Sequence, residues 1–589
     1  MKSKIAIIHV KFEQMKRFIL IFFVILGSLS CNSGQYKAEP EKATFSLSKN
    51  EEKALVALGQ LWGFLKYHHP SVAEGNYDWD MELIKLIPAV REAENDSIWK
   101  KILDDWLDSL PHVAENPNKK LPDLEIKTKP DYGELFNTEY FLPETVEKIK
   151  YILNNAVILS NHYVNVDVNQ FGQLSFSNEP SYKEFLYPEL SYRLLALFRF
   201  WNMVNYFFPY RELCDQKWYE VLVDMLPNFV YAEDQLQYIL ACTKLFVKID
   251  DSHTFVNTNN IMLLLWLGAL TVPFETQFIE ENLVVTRYTG NDPYVREKIE
   301  IGDIITVIDG VSVDEIVKRM WPYMPASNDA VKRRKLCSYI LTGNSNTASI
   351  TVQREGCFYE LKIPRYDPSQ LKIPDNSNNP YPEKEGYTVL DNNIGYVLPS
   401  NCKIEKRKTG TERVLDGTKG VIIDFRCYPN DHSIASSFAN HLKSGHKSFF
   451  YPNMVSCANV SYPGFFFVQK RNQEIEILYR YTPKIVVLVN QYTQSSAEDN
   501  VVSLQQVPNV VVIGSTTAGT NGRVVDIDLP GNISTRMTGM GVYYPDGSDL
   551  QRVGIKIDEI VKPTIAGIKA GRDELLERAI EIINESNNF

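Results

Sequence analysis

Residues 485–504 read I-V-V-L-V-N-Q-Y-T-Q-S-S-A-E-D-N-V-V-S-L. The run Ile485 to Val489 is apolar without alternation, as in a strand buried on both faces. Val501, Val502 and Leu504 lie further on, at helix-compatible spacing. Ser495 and Ser496 therefore fall at a strand-to-helix turn. A nucleophile is well placed there. Its oxygen is held out at the sheet edge, and the first free N–H groups of the helix point to the same spot. A serine at that place also serves as an ordinary helix N-cap. On the local pattern alone the N-cap is the stronger reading, and there is no G-x-S-x-G.

The neighbourhood extends the pattern. Ile394 to Leu398 and Gly420 to Arg426 read as further strands, and the second runs into the loop Cys427-Tyr428-Pro429-Asn430-Asp431. Strand 485–489, helix 495–506 and strand 509–513 form a β-turn-α-β unit. Asp573 to Ile583 is an amphipathic closing helix. Residues 389–589 are thus expected to form an α/β domain on a parallel sheet, with ligands at the carboxyl ends of its strands. Residues 366–388, rich in Pro, Asn and Ser, read as a linker. Residues 268–365 have strand character. In them Gly302-Asp303 and Asp309-Gly310 are turns around Ile304-Ile305-Thr306-Val307-Ile308.

Residues 51–267 are expected to be helical and carry a repeat. Trp62 to Pro70 aligns with Trp201 to Pro209, and Trp79, Leu83 and Pro88 align with Trp218, Leu222 and Pro227, all at an offset of 139. The copies are 62–88 and 201–227. The stretch between them, Tyr132 to Glu184, is less regular. His68-His69 does not make a metal site, because adjacent helical positions do not face one side and the second copy has Phe207-Phe208.

At 589 residues, 44% hydrophobic and 23% charged, the chain fits a multidomain globular protein. A net charge of -11 argues against a nucleic-acid partner. Met15-Lys16-Arg17 followed by Phe18 to Leu26 forms the basic and apolar parts of a signal, too short for a permanent span. With Cys31 as the lipidated residue, it resembles a bacterial lipoprotein signal. Residues 1–31 are read as that signal and 32–50 as a tether. The expected location is the exported face of a membrane, periplasmic or at the cell surface. Of eight cysteines, seven remain after Cys31, with no C-x-x-C pair, so neither a disulfide framework nor a zinc ribbon is expected. No cofactor or metal is expected.

Thr493-Gln494-Ser495-Ser496-Ala497-Glu498 resembles the T-x-S-[AS]-[AS]-E signature of the tail-specific (C-terminal processing) proteases and their tricorn-like relatives. Gly420 to Arg426, Val512 to Gly519 and Arg552 to Asp558 resemble that family's other blocks, in the same order. Gly302 to Gly310 resembles the core of a PDZ domain, a peptide-end binder, at 268–365. The resemblance covers about 190–589. It implies a crotonase-like, ClpP-like sheet domain, with Ser495 as nucleophile and Ser496 as a backbone oxyanion donor. The second donor would come from the loop after Arg426, which is Cys427 and Tyr428 here, where the family has glycines.

The base has no lysine candidate, since none occurs between Lys484 and Lys556. The tricorn-like branch uses a histidine, and Asp251-Ser252-His253-Thr254 matches its segment. His253 is therefore ranked first as base. His432 is its rival at the sheet edge, His441 and His446 are read as surface residues, and His112 is the first-copy counterpart shifted by two. Gln551 stands where that branch has a glutamate that orients the histidine. Two functions remain. One is a serine endopeptidase that cuts unfolded or C-terminal segments, using Ser495 and His253. The other is a lipid-anchored surface protein with an impaired active site that binds peptides through the PDZ-like domain and the helical repeats. Nucleotide binding at 514–522 lacks the P-loop lysine.

Overall fold

The computed structural model describes residues 47–167, 172–255, 260–371, 383–442, 454–470 and 483–586. Cys31, the signal, most of the tether and His446 lie outside the described residues. Among the described residues no helix is long and apolar enough to cross a membrane. The fold is multidomain and mixed: a helical region, a middle antiparallel sheet and a C-terminal α/β sheet.

The helical region is a duplication. Helices Lys49–His68, Trp79–Arg91 and Asp96–Asp108 have as counterparts Leu190–Phe207, Trp218–Val230 and Gln235–Val247. The last two pairs match end for end at the same offset. In each copy two indoles exchange hydrogen bonds with each other's carbonyls. Trp62 Nε1 donates to Trp79 O (2.9 Å) and Trp79 Nε1 to Trp62 O (3.0 Å). Trp201 and Trp218 repeat this at 2.8 and 2.9 Å. Asn95 and Asp234 cap the third helix of each copy. Buried charges knit the copies together. Arg199 bonds Asp80 (2.5 Å) and Glu179 (2.9 Å), and Glu179 also takes Lys66 (2.6 Å). His68 and His69 are buried and bond Phe64 O, Tyr132 and Pro111 O. Burial drives His68 down to about 3, so it is neutral.

The stretch read as less regular holds helix Pro143–Asn155 and the hairpin Val164–Asp167/Gln173–Phe176. The two strands are only four residues each, too short for a clear alternation.

In the middle sheet, strands Phe274–Ile279, Asn282–Tyr288, Ile304–Ile308, Thr347–Arg354 and Cys357–Pro364 pair antiparallel in that order. Asp309 (φ 49°) and Gly310 (φ 81°) make the tight turn back into Val311–Ser312. Positive φ at both positions matches the twist of a two-residue hairpin. Helix Asp329–Cys337 packs on the edge strand Phe274–Ile279.

The C-terminal sheet runs Tyr387–Val389, Gly395–Val397, Gly420–Asp424, Lys484–Val489, Val510–Gly514, Glu559–Ile560, parallel except for the first strand. Val421, Ile423, Ile485, Val487 and Val489 face helices Arg407–Leu415, Ile434–Leu442 and Ser496–Leu504. Ile422, Val486 and Leu488 face the closing helix Glu574–Ser586. Both faces are covered, which is why the strands read as continuous apolar runs.

The second helical copy docks on the sheet unit. Tyr210 OH accepts from Val542 N (2.6 Å), and Tyr238 OH donates to Pro530 O (2.7 Å). This brings the loop after helix Gln235–Val247 to the hairpin Val524–Leu529/Ile533–Thr538.

The two copies touch where Gly59 and Gly63 face helix Leu190–Phe207. Asn202 Nδ2 donates to Gly59 O (2.9 Å), and a Cβ on Gly63 would lie 1.9 Å from Asn202 Cγ. Gly63→Ala is expected to cost about 1–3 kcal/mol through overpacking. Thermal unfolding should show a midpoint several degrees lower, and an unchanged midpoint would contradict this close packing.

Candidate active site

The turn between strand Lys484–Val489 and helix Ser496–Leu504 is held from three sides. Thr493 Oγ1 donates to Phe425 O (2.8 Å) and accepts from Asn490 N (3.0 Å). Ala518 N donates to Thr493 O (2.9 Å). Ser495 sits at the apex with φ 55° and ψ -117°. A non-glycine residue there is strained by about 1–3 kcal/mol, a state that persists only when the surroundings enforce it. Ser495 N donates to Thr520 O (3.0 Å). Ser496 opens the helix, so its N–H is among the first-turn amides with no intrahelical acceptor.

Glu498 enforces this geometry. Its buried carboxylate accepts from Thr517 Oγ1 (2.6 Å), Gly519 N (2.8 Å), Thr520 N (3.1 Å) and Ser495 N (3.3 Å). Gly519 has φ +58°, and a Cβ there would lie 2.8 Å from the Arg552 backbone. The loop can therefore approach the carboxylate only with glycine at that position.

His253 reaches the same place from the helical region. Its Nδ1 lies 2.8 Å from Thr538 Oγ1, 3.4 Å from Thr520 Oγ1 and 3.7 Å from Asp251 Oδ1. Thr520 thus touches both Ser495, through its carbonyl, and His253, through its hydroxyl. Asp251 is fully buried and fixes the loop. It accepts from His253 N (3.0 Å), Thr520 Oγ1 (2.6 Å) and Thr538 N (2.7 Å). Burial holds the His253 imidazole below its ordinary 6.5, against the raising effect of Asp251. It is neutral at pH 7, as a proton acceptor must be.

Gln551 lies further out. Its amide donates to Asp250 O (3.5 Å) and Ser327 Oγ (3.4 Å), while the groups on the His253 ring are Thr538, Thr520 and Asp251. Cys427 turns its thiol into the core toward Asp424 O (3.6 Å), and burial pushes it up to about 11. Tyr428 is half-exposed and its phenol meets the Ser495 hydroxyl. His432 lies elsewhere than His253: its Nδ1 is 2.8 Å from Ser496 Oγ, and its ring packs edge-on to Tyr428 at 5.8 Å. His441 bonds Asp416 (3.1 Å), and His112 stacks on Tyr151. Among the described residues no cluster of His, Cys, Asp or Glu could hold a metal ion.

Sequence reasoning passed over Asp251, Thr538 and Glu498. Asp251 left one signal, an acid two residues before the histidine, where its side chain can take the backbone N–H in an Asx turn. Thr538 lies 285 residues from His253 and left none.

Burial pushes Glu498 up to about 7, despite hydrogen bonds that pull it down. The folded value exceeds the ordinary 4.5. Its contribution to stability is therefore full below about 4.5 and lost as pH rises through about 7. Relative to Glu498→Gln, wild type should lose about 3 kcal/mol between those limits. Denaturant titrations of both proteins across that range check it, and parallel pH curves would refute it.

Residues 403–561 match the family model described as Peptidase family S41. The structure of mature CPAF complexed with lactacystin is similar over 68% of this chain and 99% of that chain, at 12% identity and a TM-score of 0.50. A crystal structure of mature CPAF is similar over 67% of this chain and 96% of that chain, at 11% identity and a TM-score of 0.50. These likenesses show the fold. No curated protein matches the sequence. The strained Ser495 turn, its glutamate and the loop they hold all lie inside the segment that matches the peptidase family S41 model.

Proposed function

We propose that the protein is a serine endopeptidase that cleaves unfolded or C-terminal polypeptide segments, with Ser495 as nucleophile and His253 as general base. The observation that carries this reading is the strained Ser495 backbone, tied through Thr520 to the His253 ring. Strain of this kind is retained where it serves a reaction. With Nδ1 engaged by Thr538, Nε2 is the nitrogen left for the serine proton. Ser495 Oγ attacks the scissile carbonyl carbon as its proton passes to His253. The resulting alkoxide is stabilised by the Ser496 N–H and, in place of a glycine-loop amide, by Tyr428. Collapse expels the amine, which takes the proton back from His253. Water then repeats the sequence on the acyl-enzyme.

The PDZ-like character of the middle sheet supports capture of a peptide end. Lipid attachment at Cys31, on the exported side of a membrane, belongs to the same proposal. A second reading, a peptide-binding surface lipoprotein with an impaired site, draws on the uncharged Gln551 and the inward Cys427.

Fluorophosphonate labelling with peptide mapping separates the two. The label is expected on Ser495 and absent in Ser495→Ala. Peptide hydrolysis should fall at least roughly 10⁴-fold in Ser495→Ala and in His253→Ala, with no further loss in the double variant. Ser496→Ala keeps its N–H and should lose less than about tenfold. Label on Ser496, or inactivity of His432→Ala with an active His253→Ala, would move the chemistry to the Ser496–His432 pair.

The pH profile gives a second check. The acid limb of kcat/KM is expected below pH 6.5, the ordinary value from which His253 is lowered. Asp251→Asn removes an anion that raises the imidazole, so the limb should move to still lower pH. A limb that stays in place would disconnect Asp251 from the titrating base.

A further inference from the structure

Beside the site, one ammonium meets three carbonyls. Lys335, on helix Asp329–Cys337 of the middle sheet unit, donates to Pro325 O (2.7 Å), Thr254 O (2.7 Å) and Ser252 O (3.1 Å). An ammonium has three N–H bonds, and all three are used. Two of the carbonyls flank His253 in sequence. We propose that Lys335 is a positioning residue of the catalytic centre, fixing the loop that carries His253 and setting a cation beside its imidazole. The proposal rests on the reading of His253 as base.

The surroundings of Lys335 tie the two halves of the site together. Ser252 O also accepts from Gln494 Nε2 (3.4 Å), the neighbour of Ser495. Arg334 donates to Gln491 O (2.6 Å) and Gln494 Oε1 (2.9 Å). Asn328, which caps the same helix, donates to Thr517 O (2.9 Å). Ser327 and Ser252 exchange two hydrogen bonds, 2.8 and 2.9 Å. One segment, 327–335, therefore grips the histidine loop, the serine turn and the 517–518 loop together.

The charges facing His253 come from three elements. Asp251, on its own loop, raises the imidazole, while Lys335 and Arg536, from the hairpin, lower it. Burial and the neighbouring Arg334 push Lys335 itself down to about 7. Below that pH it is charged, and that is where His253 titrates. A lysine that only braced the loop would affect stability or turnover but would leave the histidine titration where it was.

NMR of ¹³C-histidine-labelled full-length protein reads this directly, with the His253 signal assigned by its loss in His253→Ala. In Lys335→Met the His253 midpoint is expected to rise by about one pH unit, with kcat down about tenfold and KM unchanged. In Lys335→Arg, which keeps the charge, the midpoint stays near wild type. A wild-type midpoint in Lys335→Met overturns the proposal. If the methionine variant does not fold, Lys335→Gln is read by the same criterion. A midpoint that rises while the acid limb of kcat/KM stays fixed supports the role of Lys335 and rejects His253 as the base.

Discussion

A single buried carboxylate organises the sheet end. Glu498 takes hydrogen bonds from the serine turn on one side and from the 517–520 loop on the other. Away from water, a donor left without its acceptor costs about 1–3 kcal/mol, so these bonds hold the turn and the loop in place. The strained Ser495 backbone and the left-handed Gly519 are two results of one constraint. The carboxylate must be reached from both directions, and the chain bends to reach it.

The rest of the site is assembled around this point from other parts of the chain. The histidine loop belongs to the second helical copy, and Tyr210 and Tyr238 fix that copy against the sheet unit. The first copy has second and third helices of the same length and the same tryptophan exchange, yet its loop stays within the helical region, where His112 stacks on Tyr151. Two near-identical scaffolds thus differ in what their loops meet. The difference arises from docking, since the second and third helices match end for end.

Much of the architecture was legible in the sequence because it rests on local rules. Continuous apolar strands imply a sheet covered on both faces, and 485–489 kept that meaning. The Asp309-Gly310 turn followed from backbone conformation alone, and the helical duplication from the tryptophan spacing. Of the candidate site, the sequence named only the residues that a motif marked, Ser495, Ser496 and His253. Contacts that join residues far apart were invisible. Thr538, Thr520 and Lys335 converge on one loop from three separate stretches, and no periodicity records that. Gln551 illustrates the opposite difficulty. Its place in the sequence suggested contact with the histidine, but the chain turns its amide to Ser327 and Asp250 instead.

The division of the site among three segments bears on when the enzyme can act. On the proposed assignment, the base is synthesised long before the nucleophile, and neither has its partner until the helical copy has docked. A half-folded chain therefore carries no working pair of groups. On that assignment latency is built into the fold: cutting power arrives only with the completed tertiary structure.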